Sequence, residues 1–242
     1  MAKPDKKSTD PSTDASGGKS HTALYVIGAV AIAAIIAGVY FMRDSGQADP
    51  NAPKEDPAVA VLMEEGPLED IVMGDPGAPN VIVEYASMTC PHCANFYTKV
   101  FPDVKEKYID TGKARFVFRE FPLDGLAVAA SMLARCAGDD RFYPMLDALF
   151  ETQETWAVPG EDGKEKLLLI AKQAGFSKDS FDKCLADKEL FDKIVEVRKK
   201  AHEEYGVDST PSFFVNGKRL PGVAFENFEA AIEGPAETPA SG

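Results

Sequence analysis

The sequence predicts an α/β domain on a single core, in which a mixed β-sheet is covered by helices. Three patterns support this prediction: a strand–helix–strand unit at residues 81–121, a helical stretch at about residues 125–205, and a hairpin followed by a helix at residues 212–232. Apolar residues make up 45% of the 242-residue chain and charged residues 27%, as in ordinary globular proteins. This composition excludes a wholly disordered or fibrous protein.

The first unit begins with a short buried strand. Residues 81–86 form a run of mainly β-branched and aromatic residues after a Gly/Pro-rich turn, which is typical of such a strand. From about Cys90 to Val104 apolar residues recur at spacings of three and four, which predicts one helix ending before Thr111. Residues 114–121 give a second strand, and strands joined by a helix are expected to run parallel.

The helical stretch and the last elements complete the domain at residues 68–234. Apolar stripes at helical spacing, interrupted by glycines, predict an insert of several helices at about residues 125–205. Residues 212–220 predict a β-hairpin, because Asn216-Gly217 suits a two-residue turn with positive φ angles. A closing helix is predicted over residues 225–232.

The segments outside this domain suggest membrane attachment. Residues 1–22 are polar and predict a flexible cytoplasmic tail. Residues 23–42 lack charged side chains and are long enough as a helix to cross about 30 Å of hydrocarbon, which predicts an uncleaved transmembrane signal-anchor. A cleaved signal peptide is the alternative, with a weak cleavage site beyond Met42. Residues 43–67 predict a proline-rich linker, and residues 235–242 a second flexible tail.

Charge sets the orientation of the anchor and excludes one class of partner. Lysines lie mainly before residues 23–42, which favours a cytoplasmic N-terminus and a domain on the outer side of the membrane. The net charge is −13, and an acidic protein repels phosphate backbones. Nucleic-acid binding is therefore not expected.

The motif Cys90-Pro91-His92-Cys93 follows the first strand directly and opens the first helix. The positive end of a helix dipole stabilises a thiolate at Cys90, and a protonated His92 would add positive charge beside it. A stabilised thiolate favours the dithiol over the disulfide, so the disulfide becomes an oxidant. Cys93, one turn further on, is expected to be more buried and to act as the resolving thiol.

A zinc site is the alternative for this motif, with Cys136 and Cys184 as further ligands. Those cysteines lie 43 and 91 residues beyond Cys93 and do not form a second Cys-x-x-Cys. The position of the motif between a strand and a helix favours redox chemistry instead. We therefore expect no metal and no soluble cofactor.

The sequence resembles the DsbA family of thioredoxin-fold thiol oxidases over residues 68–232. The resemblance rests on VIVEYASMTCPHC at residues 81–93, on the helical insert, and on STPSFFVNG at residues 209–217. It implies a thioredoxin-like fold and an oxidising Cys90–Cys93 disulfide. It further implies a cis Pro211 facing that disulfide, with the Thr210 backbone open to an extended substrate.

Three further residues are interpreted with the help of this resemblance. Glu84 is expected to move protons to or from Cys93, although its position alone also allows an edge residue facing water. Cys136 and Cys184 lie on apolar helix faces, either as two separate core thiols or as a pair. Some membrane-linked relatives carry a second pair in the insert, and oxidising compartments favour bridged cysteines, so we expect a structural Cys136–Cys184 bond.

The functional prediction is a thiol–disulfide oxidoreductase that introduces disulfide bonds into exported proteins. It would be a single-pass protein of a bacterial inner membrane, with its catalytic domain in the periplasm. Expected partners are unfolded exported proteins and a DsbB-like, quinone-linked membrane oxidase, and the protein itself is expected to be a monomer. Two alternatives stay open: a reductase or isomerase using the same pair, and a tethered peptide-binding chaperone using the Thr210–Pro211 groove.

Overall fold

The computed structural model describes residues 66–158 and 162–234. The predicted cytoplasmic tail, the signal-anchor, most of the linker and the final tail lie outside these residues. Within them, every helix is too short or too polar to cross a bilayer.

A five-stranded mixed sheet forms the centre of the described domain, in the order β1-β3-β2-β4-β5. Strands β2 and β3 are parallel, as predicted, while β4 runs antiparallel to β2 on its other side. The short strand β1, which pairs antiparallel with β3, was not predicted. The strands are β1 (Val72–Met73), β2 (Asn80–Ala86), β3 (Ala114–Glu120), β4 (Ser212–Val215) and β5 (Lys218–Arg219).

Nine α-helices in the described residues surround the sheet, and six of them, α3 to α8, form the insert between β3 and β4. The final helix α9 closes the domain, as predicted. The helices are α1 (Pro91–Lys99), α2 (Phe101–Val104), α3 (Gly125–Cys136), α4 (Asp139–Glu151), α5 (Gln153–Trp156), α6 (Gly163–Gln173), α7 (Lys178–Leu185), α8 (Lys188–Tyr205) and α9 (Phe225–Glu233).

The single helix predicted from Cys90 to before Thr111 is divided in the structure. Helix α1 ends at Lys99, α2 follows from Phe101, and a π-helical turn covers Lys105–Ile109. Pro102 has no amide hydrogen and so cannot continue the hydrogen-bond ladder of α1. The apolar spacing persists across this break because both helices pack on the same core, which is why spacing alone did not reveal it.

The hairpin turn has the backbone geometry that its residues favour. Asn216 and Gly217 have φ angles of 48° and 76°. Both are positive, as a two-residue turn between twisted antiparallel strands requires. This turn sets the register in which Phe214 pairs with Arg219.

The two faces of β2 serve different purposes. Val81, Val83 and Tyr85 are buried on one face, in a cluster with Val197 and Ala201 of α8. Side chains alternate along a strand, so the intervening positions 82, 84 and 86 point to the opposite face. That face carries the main core, in which Phe96 of α1 packs on Phe213 of β4 with ring centroids 4.4 Å apart. Glu84 therefore points beneath α1.

A disulfide joins two helices of the insert. Cys136 at the end of α3 and Cys184 in α7 are bonded, with Cα atoms 6.1 Å apart, and they lie 48 positions apart in the sequence. The bond closes the intervening helices into one loop, which restricts the unfolded chain. Since both sulfurs are bonded to each other, they are not zinc ligands in this structure.

A buried ion pair connects the sheet to the insert. Glu120 at the end of β3 is fully buried and accepts two hydrogen bonds from the Arg135 guanidinium, at 2.5 and 3.0 Å. Arg135 also donates to the Glu69 carbonyl at 2.7 Å. The guanidinium and the carboxylate thus compensate each other in a region with little water.

Replacing Glu120 by Gln is expected to lower the free energy of unfolding by about 3 to 5 kcal/mol, because the buried Arg135 charge loses its counter-charge. Urea unfolding at pH 7 measures the change. The exposed pair Lys188–Asp192, with a 2.5 Å contact, provides the control: Asp192→Asn should cost less than about 1 kcal/mol. Equal losses in the two variants would contradict the assignment of Glu120.

Candidate active site

The Cys90-Pro91-His92-Cys93 motif lies where β2 ends and α1 begins. Pro91 occupies the start of the helix, where its missing N–H costs nothing and its fixed φ angle suits the helical turn. Cys90 precedes it as the N-cap in an extended conformation, and no side chain caps this helix end. The Cys90 sulfur therefore lies at the positive end of α1, next to amide hydrogens that lack helical partners.

Cys90 and Cys93 are both free thiols, so the structure shows the reduced form. Cys90 is 5% exposed and Cys93 is fully buried. The Thr210 carbonyl faces Cys90 and accepts a hydrogen bond from its thiol at 3.4 Å, and the Thr210–Pro211 peptide bond is cis. Residues 120 positions apart in the sequence thus meet at one sulfur atom.

The Cys90 thiolate is stabilised by several donors that converge on its sulfur. The pKa of Cys90 falls from the ordinary 9.0 to about 5, chiefly because the Cys93 thiol donates a hydrogen bond to it. Partial burial opposes this shift, whereas a hydrogen bond with the Thr210 side chain and the backbone N–H groups of Cys93 and His92 assist it. At neutral pH Cys90 is consequently an anion.

His92 and Pro91 are both exposed. The His92 backbone N–H contributes to the low pKa of Cys90. Pro91 contributes by fixing the start of α1.

Cys93 has the opposite character. Burial is the main cause that raises the pKa of its thiol far above the ordinary 9.0, and the hydrogen bond to Cys90 and the nearby Glu84 carboxyl raise it further. The proton of the pair therefore stays on Cys93 while Cys90 is charged. This division gives one charged sulfur, at Cys90, that acts as nucleophile or leaving group, and one fully buried, protonated thiol at Cys93.

Glu84 lies beneath α1 in the central strand rather than at an edge facing water. It is fully buried, and among the described residues neither of its carboxylate oxygens has a hydrogen-bond partner. Burial, and secondarily the charge on Cys90, raise the pKa of Glu84 well above the ordinary 4.5. The Tyr97 hydroxyl, on α1 one turn beyond Cys93, is buried and without a partner in the same described region.

Gln153 is a site residue that sequence reasoning missed. Its buried side-chain amide donates to the carbonyls of Met88 and Cys90, both at 2.9 Å. Helix α5 of the insert thereby fixes the backbone of the reactive loop. A single polar residue in a short helix carries no pattern that could have indicated this role.

A second tether holds the loop from the side of α3. The Thr89 hydroxyl donates to the Asp124 carboxylate at 2.7 Å, and the same carboxylate caps α3 by accepting from the Ala127 amide at 2.8 Å. Ser87 Oγ accepts from the Leu123 amide at 3.2 Å. The loop that carries Cys90 is thus held between the insert on one side and Thr210 on the other.

This arrangement defines a class of protein. A Cys-x-x-Cys pair starts a helix after a central strand, and a cis-proline directly precedes the neighbouring antiparallel strand. The residue before that proline, Thr210, contacts the reactive sulfur. These features together belong to thioredoxin-fold proteins that exchange thiols and disulfides.

The comparisons with known proteins narrow the class to a family. The family model described as Thioredoxin matches residues 67–234. The structure resembles the crystal structure of alpha-DsbA1 from Wolbachia pipientis, with a TM-score of 0.67 and 33% identity over 73% of this chain and 94% of that one. It also resembles BdbD from Bacillus subtilis, with a TM-score of 0.58 and 26% identity over 68% and 91% of the two chains. The chain belongs to the thioredoxin family, and within it to the DsbA-like thiol–disulfide oxidoreductases.

Sequence relatives carry related descriptions. A Rickettsia bellii protein, provisionally assigned as a protein-disulfide oxidoreductase, is 36% identical over 165 residues, or 68% of this chain. Disulfide bond formation protein D of Bacillus subtilis is 29% identical over 171 residues, which cover 67% of this chain and 75% of that protein. The chain spans 63% of the length of the Rickettsia bellii relative.

The reduced protein should gain stability relative to the oxidised protein as the pH rises. In the folded dithiol form Cys90 has a pKa of about 5 against an ordinary 9.0, so folding favours its thiolate. The sign follows from linkage: this stabilisation is complete above about pH 9 and disappears as the pH falls through about 5. Groups that have the same pKa in both redox forms contribute equally to both unfolding free energies, so they do not affect the difference between them.

Urea unfolding of both redox forms at pH 4.5 and pH 7.5 measures this effect. The difference in unfolding free energy, reduced minus oxidised, should be larger at pH 7.5. Cys90→Ser with reduced Cys93 serves as the control, because it has no thiolate at position 90. When this variant replaces the reduced wild type in the comparison, the difference from the oxidised wild type should no longer increase between pH 4.5 and pH 7.5. A wild-type difference that is equal at both pH values would contradict the assigned thiolate.

Replacing Glu84 by Leu is expected to raise the free energy of unfolding at pH 8 by about 1 to 3 kcal/mol, because an unpartnered buried carboxyl is removed. Its pKa is raised in the folded state, so its destabilising effect grows as the pH rises above the ordinary 4.5. The gain should therefore be smaller at pH 4. A loss of stability at pH 8, like that expected for Glu120→Gln, would refute this account of Glu84.

Proposed function

We propose that the protein is a dithiol oxidase, which donates its Cys90–Cys93 disulfide to exported proteins that are still unfolded. The observation that carries the proposal is the unequal pair of thiols: the pKa of Cys90 is about 5, whereas that of Cys93 is raised far above its ordinary value. Stabilising the Cys90 thiolate stabilises the dithiol form over the disulfide. The disulfide is then a strong oxidant, because its reduction is favoured.

The reaction begins on the oxidised protein, with a substrate thiolate attacking the Cys90 sulfur. The Cys90–Cys93 bond breaks, Cys93 departs with the electron pair and takes up a proton, and a mixed disulfide links the substrate to Cys90. A second substrate thiolate then attacks the substrate sulfur of that bond, and Cys90 leaves as a thiolate. The substrate loses two electrons, and the Cys90–Cys93 pair gains them.

Burial directs the first attack to Cys90. Cys93 is fully buried beneath the start of α1, whereas Cys90 is partly accessible beside Thr210. The Cys90 thiolate is also the better leaving group in the second step, since its pKa is low. Both steps thus use the same sulfur.

Glu84 is proposed to exchange the proton of Cys93. It faces the underside of α1 from β2, and its charge contributes to the raised pKa of Cys93. A carboxyl whose own pKa is raised keeps its proton to a higher pH than an ordinary exposed glutamate does, so it has a proton to exchange. In this proposal Glu84 supplies a proton as Cys93 leaves and accepts one as the disulfide is re-formed.

The backbone next to the cis-proline is proposed to receive the substrate. Thr210 presents its carbonyl to Cys90, so an extended peptide bonded to Cys90 lies alongside this segment. Such backbone pairing is independent of the substrate's side chains and suits unfolded chains of varied sequence.

The location and partner belong to the proposal as well. The uncharged segment at residues 23–42 supports a single membrane span, with the catalytic domain on the periplasmic side of a bacterial inner membrane. The dithiol left after each turnover needs an electron acceptor. Family resemblance supports a DsbB-like, quinone-linked membrane oxidase in that role, with the protein acting as a monomer.

The reduction potential of the Cys90–Cys93 couple tests the direction of exchange. We expect a potential more oxidising than about −180 mV, which is near that of protein disulfide isomerase. Equilibration with glutathione redox buffers, followed by thiol trapping, gives the value. A potential close to about −270 mV, as in reducing thioredoxins, would exclude the oxidase and favour the reductase alternative.

A matched pair of variants tests whether the thiols are needed at all. Cys90→Ser should abolish oxidation of a reduced, unfolded protein, whereas Cys136→Ala/Cys184→Ala should retain it, because that pair is already bonded within the insert and takes no part in the proposed exchange. The readout is the appearance of disulfides in the substrate. A Cys90→Ser protein that still promotes correct folding as well as the wild type does would support the chaperone alternative.

A further inference from the structure

A cleft on the insert side of Cys90 has no role in the exchange described so far. It has a volume of about 560 Å³ and begins at Thr89 and Pro91, which flank Cys90 in the sequence. It follows α1 as far as Lys99, and the ends of α4 and α5 form the opposite wall. Neither Thr210 nor Pro211 lines it, so it is separate from the surface beside the cis-proline.

The cleft matches a short extended peptide in size. Helix α1 rises about 1.5 Å per residue, so the distance from Pro91 to Lys99 is about 12 Å. An extended chain covers about 3.3 Å per residue, and about three to four residues would fill this length. The volume lies within the range of about 300 to 1,000 Å³ that is usual for ligand sites.

The charge of the cleft is predominantly negative. Glu151 and Glu154 are both exposed on the wall formed by α4 and α5, and within residues 66–158 and 162–234 neither forms an ion pair. Asp147, one turn before Glu151, has its pKa raised to about 6 by burial and by the neighbouring Glu151 charge. Among the residues that line the cleft, Lys99 is the one cation.

The cleft is rigidly connected to the reactive loop. Gln153 lines it and fixes the carbonyls of Met88 and Cys90 with hydrogen bonds of 2.9 Å. Thr89 lines it as well and is tied to Asp124. The wall that carries Glu151 and Glu154 is therefore held at a fixed distance and direction from the Cys90 sulfur. A binding site for a covalently linked peptide requires such a fixed geometry.

We propose that this cleft is a second substrate subsite, which binds a lysine- or arginine-bearing segment about three to four residues away from the substrate cysteine that attacks Cys90. The inference rests on the proposed function, because only a peptide attached to Cys90 is led past Thr89 and Pro91 into the cleft. Two exposed carboxylates attract basic side chains and repel acidic ones. The protein thereby prefers basic segments among its unfolded substrates.

Three reduced dithiol peptides of equal length test this preference. They differ only at the positions three and four residues away from each cysteine, which carry lysine, serine or glutamate. The oxidised full chain is mixed with each peptide, the reaction is stopped with acid, and the second-order rate constant is obtained from the separated products. The lysine peptide should react about three to ten times faster than the serine peptide, the glutamate peptide should be slowest, and 0.5 M salt should reduce the differences.

Charge variants decide whether the cleft causes the difference, because lysine also lowers the pKa of a nearby peptide thiol. In Glu151→Gln/Glu154→Gln the ratio of lysine to serine rates should fall to that measured with a small disulfide as oxidant. Glu196→Gln/Glu203→Gln on α8 changes the net charge equally at exposed positions outside the cleft lining. That control should keep the wild-type ratio.

Two results would overturn the subsite: a wild-type ratio equal to that of the small disulfide, or an equal fall of the ratio in both double variants, which would indicate net charge alone. Failure of the proposed function is distinguishable from these. In that case the oxidised wild-type chain would leave all three peptides reduced, and the subsite would be rejected together with the function on which it rests.

Discussion

The hydrogen bond from the Cys93 thiol to the Cys90 sulfur depends on the start of α1 more than on any other part of the fold. Pro91 begins the helix directly after Cys90, so the amides of His92 and Cys93 point towards the same sulfur. One turn of helix thereby places charge on the accessible cysteine and a proton on the buried one. The sheet, the cis-proline and the insert all maintain this one turn in its position.

The surroundings of the pair combine stabilising and destabilising features in a small space. Glu120 is buried and compensated by Arg135, whereas Glu84 is equally buried and has no partner in the described part of the chain. The two carboxyls lie on neighbouring strands of one sheet. A domain that keeps an uncompensated carboxyl beneath its reactive helix loses stability there, which is typical of sites where proton transfer matters.

Local patterns in the sequence predicted the main strands, the hairpin and the reactive motif, because alternation and turn residues such as Asn216-Gly217 act over a few positions. The break of the first helix at Pro102 was missed, since apolar spacing reports burial and not hydrogen bonding. Burial of Glu84 required knowing that β2 is central. Gln153 and the short strand β1 depend on contacts between distant segments, which a single sequence does not display.

The disulfide of the insert has a consequence for the biogenesis of the protein. Joining Cys136 to Cys184 removes two electrons from the newly made chain, so the insert is covalently closed only where an oxidant accepts those electrons. Four cysteines then have to be sorted into one permanent bond and one reversible pair. A chain matured in a reducing environment would keep its reactive motif but lack the covalent link between α3 and α7.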